Sequence, residues 1–282
     1  MDRKSFIKKA LMAGSFGALA PSVLASEKNA EAQNRATISP EGFNHIPKKE
    51  KQTMKTVLHK ANSRGQANHG WLKANHSFSF ANYYNPERMN FGVLRVLNDD
   101  HIAPGAGFPT HPHNNMEIIT IPLSGQVEHK DSMGNSGVIS PGEIQVMSAG
   151  TGIQHSEFNK NKDQDLKLLQ IWIFPNKQQV LPRYDQLKIN NTPDVNGFKQ
   201  ILSPNSDDAG VWIHQNAWFH LGEMNSEQEF TYRLKDKNNG VYIFLIEGNI
   251  DIQGQSLSAR DGLGAWDSEE LLIKSLAKSK VL

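Results

Sequence analysis

The chain contains no cysteine among its 282 residues. This absence excludes disulfide bonds, zinc sites with thiolate ligands, iron–sulfur clusters and a cysteine nucleophile. It also excludes a lipoprotein anchor, because such an anchor needs a cysteine to carry the lipid. The chemistry of the protein must therefore rest on other residue types.

A strong net charge is absent as well. The formal net charge is +1 at pH 7, and it divides into +3 over residues 1–25 and −2 over the rest. A body so close to neutral has no bulk field that would attract nucleic acid or anionic lipid. No cluster of Lys and Arg is interleaved with aromatic residues, so we expect no nucleic-acid partner. Hydrophobic residues make up 38% and charged residues 21%, as in a soluble globular protein.

The apolar stretch at residues 10–19 is too short to anchor the chain in a bilayer. It follows a basic start and ends in the small-residue sequence VLAS at positions 23–26, which is the three-part pattern of an export signal. We therefore predict a signal peptide over residues 1–25, with cleavage after Ala25. The polar, aperiodic residues 26–54 are expected to form a linker.

The basic start also resembles the twin-arginine export motif. Residues 3–8 read RKSFIK, with Lys4 in the place of the second arginine. That route exports folded proteins, so a metal ion could be inserted before export. We expect the mature protein to be periplasmic or otherwise exported, and free of the membrane after cleavage.

Short apolar or alternating stretches, separated by Gly, Pro, Asn and Asp, follow from Lys55 onward. Examples are residues 91–97, 117–123, 126–129, 143–147, 166–174, 240–246 and 250–252. Turn signals such as PGAG, SMGNSG and SPGE lie between them, and no long amphipathic helical pattern appears. Many short strands at this spacing predict β-barrels or β-sandwiches.

Residues 176–201 interrupt the strand pattern, and PNKQQVLPRYDQL within them is typical of a connector. A second set of strands follows, from about residue 211 to residue 281. We therefore predict an N-terminal domain over residues 55–180 and a C-terminal domain over residues 181–282.

Two pairs of residues carry the chemistry of the N-terminal domain. His111 and His113 are two positions apart, and so are His155 and Glu157. Side chains two apart on a strand point to the same face, with Cα atoms about 6.5–7 Å apart. If two neighbouring strands of a small barrel direct both pairs inward, three imidazoles and one carboxylate converge. This set of donors suits a first-row divalent metal ion with open coordination positions.

The residues around the two pairs indicate where in the sheet and beside which turn each pair lies. Pro112 cannot donate to a sheet ladder, so the first pair is expected at a sheet edge, a bulge or a strand start. Gly150 and Gly152 allow a tight turn just before the second pair.

Glu117 is a rival carboxylate. It lies an even number of positions from His111 and His113, and so do Ile119, Ile121 and Leu123. An unbroken strand would therefore point all of them into the barrel. The residues alone do not choose between Glu117 and Glu157 as the anionic ligand.

The remaining histidines predict no second site. His59, His101 and His129 have no partner at ligand spacing, and His214 and His220 lie six positions apart. We expect these five to be ordinary buried or surface residues.

Three segments of the chain resemble the bacterial pirin family. They are HGWLKANHSFSFANYYNPERMNFGVLRVLNDD (residues 69–100), PGAGFPTHPHNNMEIITIPLSG (104–125) and HKDSMGNSGVISPGEIQVMSAGTGIQHSEFN (129–159). The resemblance is close over about residues 55–176 and continues into a more variable second half. HPHNNMEIITIPLSG is also similar to the first cupin motif, in which a glutamate at the place of Glu117 often binds metal.

The resemblance implies a fold and a ligand set. Pirins are bicupins, so it implies an all-β fold of two cupin (double-stranded β-helix) barrels in tandem. In the family the N-terminal barrel binds metal through a His-x-His and a His-x-Glu pair, which implies His111, His113, His155 and Glu157 as ligands and Glu117 as a pocket residue beside them. The implied cofactor is one divalent ion, Fe(II) before other first-row metals, with a metal-free second barrel. A monomer is expected.

The resemblance also implies an activity. Some bacterial pirins resemble quercetin 2,3-dioxygenases, which open a flavonol ring with O2 and release carbon monoxide. A metal-dependent dioxygenase with a small aromatic substrate is therefore expected, in which Glu157, or Glu117 in its place, takes the proton of the substrate hydroxyl. The alternative is a non-catalytic iron-binding redox sensor or regulator, as in eukaryotic pirins, and a third is a binding protein for aromatic ligands. An export signal argues against a transcriptional partner.

Overall fold

The computed structural model describes residues 54–192, 194–195 and 197–282. The predicted signal peptide, and the predicted linker except for Met54, lie outside the described residues. Within the described residues, 23 strands and two short 3-10 helices, Ala61–Ser63 and Ile189–Asn191, form the regular structure. No helix of this part is both long enough and apolar enough to span a membrane.

The strands are short, as the closely spaced turn signals predict. Those of the first half are β1 (Lys55–His59), β2 (Gly65–Asn68), β3 (Leu72–His76), β4 (Leu94–Ile102), β5 (Gly107–His113), β6 (Glu117–Ser124), β7 (Val127–Asp131), β8 (Ser136–Ile139), β9 (Glu143–Ser148), β10 (Ile153–Asn159) and β11 (Leu166–Ile173). Those of the second half are β12 (Arg183–Lys188), β13 (Asp194–Val195), β14 (Phe198–Ser203), β15 (Val211–Trp212), β16 (Phe219–Met224), β17 (Glu229–Arg233), β18 (Val241–Glu247), β19 (Asn249–Ile252), β20 (Gln255–Ser258), β21 (Gly262–Trp266), β22 (Glu270–Ser275) and β23 (Ser279–Val281).

Four sheets build two barrels. In the first barrel a seven-stranded sheet, β12-β9-β6-β11-β4-β3-β2, packs against the four-stranded sheet β5-β10-β7-β8. In the second barrel the sheet β1-β21-β18-β23-β16-β14-β13, with β15 parallel to β14, packs against β17-β22-β19-β20. The prediction of two all-β cupin barrels in tandem is confirmed.

The two barrels exchange strands. β1 opens the first half of the chain but pairs with β21 of the second barrel, with Val57 opposite Gly264. β12 lies beyond residue 180 but pairs with β9 of the first barrel, with Arg183 opposite Ser148. The expected connector thus supplies a strand to the first barrel. The predicted ranges 55–180 and 181–282 divide the chain in sequence, while the barrels share strands across that division.

An apolar cluster joins the large sheets of the two barrels. Leu97, Ile119 and Ile171 of the first barrel pack there with Ile201 and Phe244 of the second. Removing such a side chain from water contributes about 1.5–3 kcal/mol. The contact between the barrels is therefore a hydrophobic core of its own.

The prediction that Ile119, Ile121 and Leu123 face the histidine pair is wrong. All three pack in or against the cluster between the barrels, whereas Thr120 points into the first barrel. The reason is the turn at residues 114–116, which places β5 and β6 in different sheets. Strand parity holds along one strand and does not carry across such a turn.

Candidate metal centre

Three neighbouring strands of the four-stranded sheet position the site. β10 lies between β5 and β7. His155 pairs with His111 on β5, and Glu157 pairs with His129 on β7. Pro112 lies on β5, which is an edge strand of this sheet, so the expectation drawn from this proline is confirmed.

The three predicted histidines converge. The ring centroids of His111 and His155 are 4.4 Å apart, those of His111 and His113 are 4.9 Å apart, and those of His113 and His155 are 5.0 Å apart. Their candidate ligand nitrogens all lie within 4.8 Å of one another. One metal ion could therefore contact all three rings.

A second group overlaps the first. His129, His155 and Glu157 also bring their candidate ligand atoms within 4.8 Å of one another. The register between β10 and β5 shifts between His155 and Glu157, so this pair does not follow β5 as a regular strand would. The structure thus places Glu157 beside His129 as well as beside His155.

His129 is the residue that the sequence analysis missed. It was expected to be an ordinary histidine, but it is fully buried in the site, with its ring 5.4 Å from that of His155. Its approach to Glu157 depends on the register of β7 against β10. Spacing along the chain carries no signal for that register.

The turn before His155 uses both predicted glycines. Gly150 has φ 47° and Gly152 has φ 138°. A Cβ on Gly150 would lie 2.0 Å from the carbonyl oxygen of Val180, so the position has no room for a side chain. This turn sets the start of β10 and therefore the position of His155.

Burial keeps the histidines neutral. Desolvation, together with the nearby His111, lowers the pKa of His113 to about 3, and burial likewise lowers the pKa of His111 and that of His155. The Nδ1–H of His111 donates to the carbonyl oxygen of Pro109 over 2.8 Å, since a carbonyl can only accept. Nε2 of His111 is then left with a lone pair for a ligand.

The site residues fit a metal ion. Both ring nitrogens of His155 are buried without a hydrogen-bond partner among the residues described. Such a group is costly unless something else satisfies it. A cation held by His155, His111 and His113 would satisfy the lone-pair nitrogen of His155, and neutral imidazole nitrogens are the donors that first-row metals accept.

Glu157 is held in place by two polar neighbours. The hydroxyl of Thr120 donates to one carboxylate oxygen over 2.9 Å, and the amide of Gln170 donates to the other over 2.7 Å. Burial raises the pKa of Glu157 to about 7, although both hydrogen bonds act in the opposite direction. Its carboxyl group can therefore exchange a proton near neutral pH.

Glu117 lies on the other side of the sheet, toward the second barrel. It accepts a hydrogen bond of 2.6 Å from the hydroxyl of Ser148, and it lies near Arg183 and the backbone of His214. Burial raises its pKa. Among the described residues, Glu117 does not line the histidine cavity. The expectation that it lies in the pocket beside the ligands is therefore wrong.

A small cavity of about 50 Å³ lies over the histidines. Its apolar walls include Phe80, Phe108, Ile118 and Trp172. Its polar lining includes Asp100, a buried carboxyl whose pKa is raised well above the usual range by burial and by neighbouring carboxylates. A mostly apolar lining with a few polar groups is typical of a small-molecule site.

Comparisons with known proteins identify the family of this chain. Residues 57–173 match the family model Pirin, and residues 200–282 match the model of the quercetinase C-terminal cupin domain. An Escherichia coli K12 protein named quercetin 2,3-dioxygenase is 44% identical over 225 residues, which are 80% of this chain and 96% of that protein. The chain belongs to the pirin family.

Other family members extend the comparison. A pirin-like protein of Caulobacter vibrioides is 40% identical over 219 residues, which are 77% of this chain and 94% of that protein. The crystal structure of the bacterial pirin YhhW from Escherichia coli in complex with nickel(II) has 43% identity and a TM-score of 0.75, covering 80% of this chain and 96% of that one. The residues of the metal centre all lie within the Pirin match.

Proposed function

We propose that this pirin is a metal-dependent dioxygenase that opens the ring of a small aromatic substrate, such as the flavonol quercetin, with O2. The observation that carries the proposal is the convergence of His111, His113 and His155 under an aromatic-walled cavity, with Glu157 beside His155. The name of the E. coli relative, 44% identical over nearly its whole length, supports the same reaction.

The proposed ligands are His111, His113, His155 and Glu157, and the proposed ion is Fe(II). Three neutral nitrogens and one anionic oxygen are donors that suit this ion and other first-row divalent metals. When bound, such an ion would supply Lewis acidity toward a hydroxyl oxygen of the substrate. Reconstitution of metal-free protein with Fe(II), Ni(II) and Mn(II), followed by turnover assays, tests the identity of the ion.

The side chains of the cavity have roles of their own. Phe108 and Trp172 provide faces against which a flat ring can pack, and they exclude water from it. Glu157 takes the proton of the substrate hydroxyl onto a carboxylate oxygen. In the metal-free site burial raises the pKa of this carboxyl, so its surroundings favour the protonated form that this transfer produces. Thr120 and Gln170 hold the carboxylate in position meanwhile.

The test is turnover of quercetin by metal-loaded protein under O2. We expect loss of the flavonol absorbance together with release of carbon monoxide, and we expect Glu157→Gln to slow this reaction. His101→Ala is a matched control, because His101 lies on the same barrel but pairs at the surface with Asp165 over 2.8 Å. Metal-loaded wild-type protein that leaves quercetin and related flavonols intact would refute the enzyme proposal.

We also propose that the chain is exported, that it is cut after Ala25 and that it acts as a monomer. The basic start, the short apolar run and the small-residue end support the export proposal. Cell fractionation, N-terminal sequencing of the recovered protein and size-exclusion chromatography test these three points. A cytoplasmic protein that still begins at Met1 would contradict export.

A further inference from the structure

We infer that the second barrel holds a binding site of its own, for a neutral aromatic molecule that carries a hydroxyl group. A cavity of about 380 Å³ opens at this barrel, compared with about 50 Å³ over the histidines of the first barrel. It lies among residues of β14, β16, β17 and β18 and beside the contact between the barrels. The inference does not depend on the proposed dioxygenase activity.

Aromatic side chains form much of the cavity wall. Phe91, Trp218, Phe219 and Tyr232 line it and are only partly buried, and Phe198 meets Tyr232 edge to face with ring centroids 5.3 Å apart. Covering such partly exposed aromatic surface with an apolar ligand removes it from water and so favours binding. Flat rings match such walls by stacking or by edge-to-face contacts.

One hydrogen-bonded pair gives the cavity its polar feature. The Oη of Tyr232 lies 3.0 Å from Nδ1 of His220, and both residues line the cavity. Burial lowers the pKa of His220 to about 4 and raises that of Tyr232 to about 12, so both are neutral at neutral pH. In either tautomer of His220, one donor and one acceptor of the pair remain after the hydrogen bond between the two residues has formed. A ligand hydroxyl can use both.

The two charged side chains that line this cavity are of opposite sign. Lys235 and Asp236 are neighbours in sequence, and both line the space. The carboxylate of Asp236 also accepts a hydrogen bond of 3.2 Å from the amide of Asn216. Such a lining creates no net field of one sign, which favours a neutral ligand over a carboxylate or a phosphate.

The probe for this site is 2-naphthol, and the protein is the metal-loaded full chain. We expect saturable quenching of tryptophan fluorescence, of which the part that comes from Trp218 is lost in Trp218→Phe. Tyr232→Phe should weaken 2-naphthol binding about fivefold to tenfold, as expected for one lost hydrogen bond. Binding of naphthalene, which has no hydroxyl, should change less than twofold or so in the same variant. Tyr84→Phe is the control, because Tyr84 is 73% exposed and does not line the cavity.

A second variant separates loss of 2-naphthol binding from loss of the fold. Ala217→Phe places a larger side chain on the cavity lining and should weaken 2-naphthol at least tenfold or so, while metal content stays at the wild-type level. Wild-type protein with no saturable quenching of Trp218 would overturn the inference. The same conclusion would follow if Tyr232→Phe and Ala217→Phe both folded and bound 2-naphthol as tightly as the wild type.

Discussion

His129 and Glu157 lie directly opposite each other on the antiparallel strands β7 and β10. On the same strand β10, His155 lies opposite His111 of β5. His155 thus belongs to both groups of candidate ligands, and His129 belongs to one of them. His111, His155, Glu157 and His129 thus lie side by side across three strands. Because His155 belongs to both groups and His129 to one, the two histidines should contribute unequally to metal binding.

We predict that His155→Ala lowers the affinity for the metal ion far more than His129→Ala does. Loss of His155 removes a nitrogen common to both groups, whereas loss of His129 leaves His111, His113 and His155 in place. We expect a loss of more than about a hundredfold in the first case and of about tenfold in the second. Competition titration with a chelator measures both. Equal losses, or a larger loss for His129→Ala, would mean that the ion lies nearer to His129 than we propose.

Metal affinity should depend on pH through Glu157. In the metal-free protein the pKa of this carboxyl is raised to about 7, and the ion competes with the proton for it. Affinity should therefore be level above pH 7 and fall about tenfold for each pH unit below it. His113, with a pKa of about 3, stays neutral throughout this range. Titration calorimetry in buffers of different ionisation enthalpy measures the proton released, and Glu157→Gln should abolish this dependence. An unchanged slope in that variant would assign the proton to another group.

Glu117→Gln should leave metal content and turnover within about twofold of the wild type. Glu117 faces the second barrel and accepts a hydrogen bond from the hydroxyl of Ser148 on β9. Replacing a buried carboxylate acceptor by an amide should lower the free energy of unfolding by about 1–2 kcal/mol. Elemental analysis and urea unfolding check the two parts. Loss of the metal in this variant, with the fold retained, would show that Glu117 reaches the site after all.

The turn before His155 should tolerate no side chain at Gly150. A Cβ there would lie 2.0 Å from the carbonyl oxygen of Val180, whereas a Cβ on Gly134 would meet nothing within 4 Å. Both glycines have positive φ, so Gly134→Ala measures backbone strain alone, of about 1–2 kcal/mol. Gly150→Ala should lower the free energy of unfolding clearly more than Gly134→Ala does, and it should also weaken metal binding. Thermal unfolding and metal titration of both variants make the comparison, and equal costs would argue against steric exclusion by Val180.

The sequence allowed the fold class and the two histidine-containing pairs to be predicted. Alternation along a single strand places His111 and His113 together on β5, and the turn glycines place His155 at the start of β10. Motif resemblance supplied the tandem barrels. Each of these inferences uses information that is local in the chain, and local patterns determine which residues share a strand face.

Three inferences that depended on how separate strands meet failed, although the convergence of the histidines on β5 and β10 was predicted correctly. Ile119 and Glu117 face away from the histidines because β6 belongs to a different sheet from β5. His129 escaped notice because its approach to Glu157 depends on the register of β7 with β10. The strand β12 was missed because the stretch around it contains prolines and polar residues typical of a connector. Register and sheet membership are set by packing between distant segments.

The most direct test of the central claim is anomalous diffraction at the absorption edge of the bound metal, from crystals of the purified protein. The account predicts a single peak per chain within bonding distance of ring nitrogens of His111, His113 and His155, with a carboxylate oxygen of Glu157 completing the set. A peak bound by His129 without His111, a peak in the second barrel, or crystals of active protein with no metal in the first barrel would contradict it.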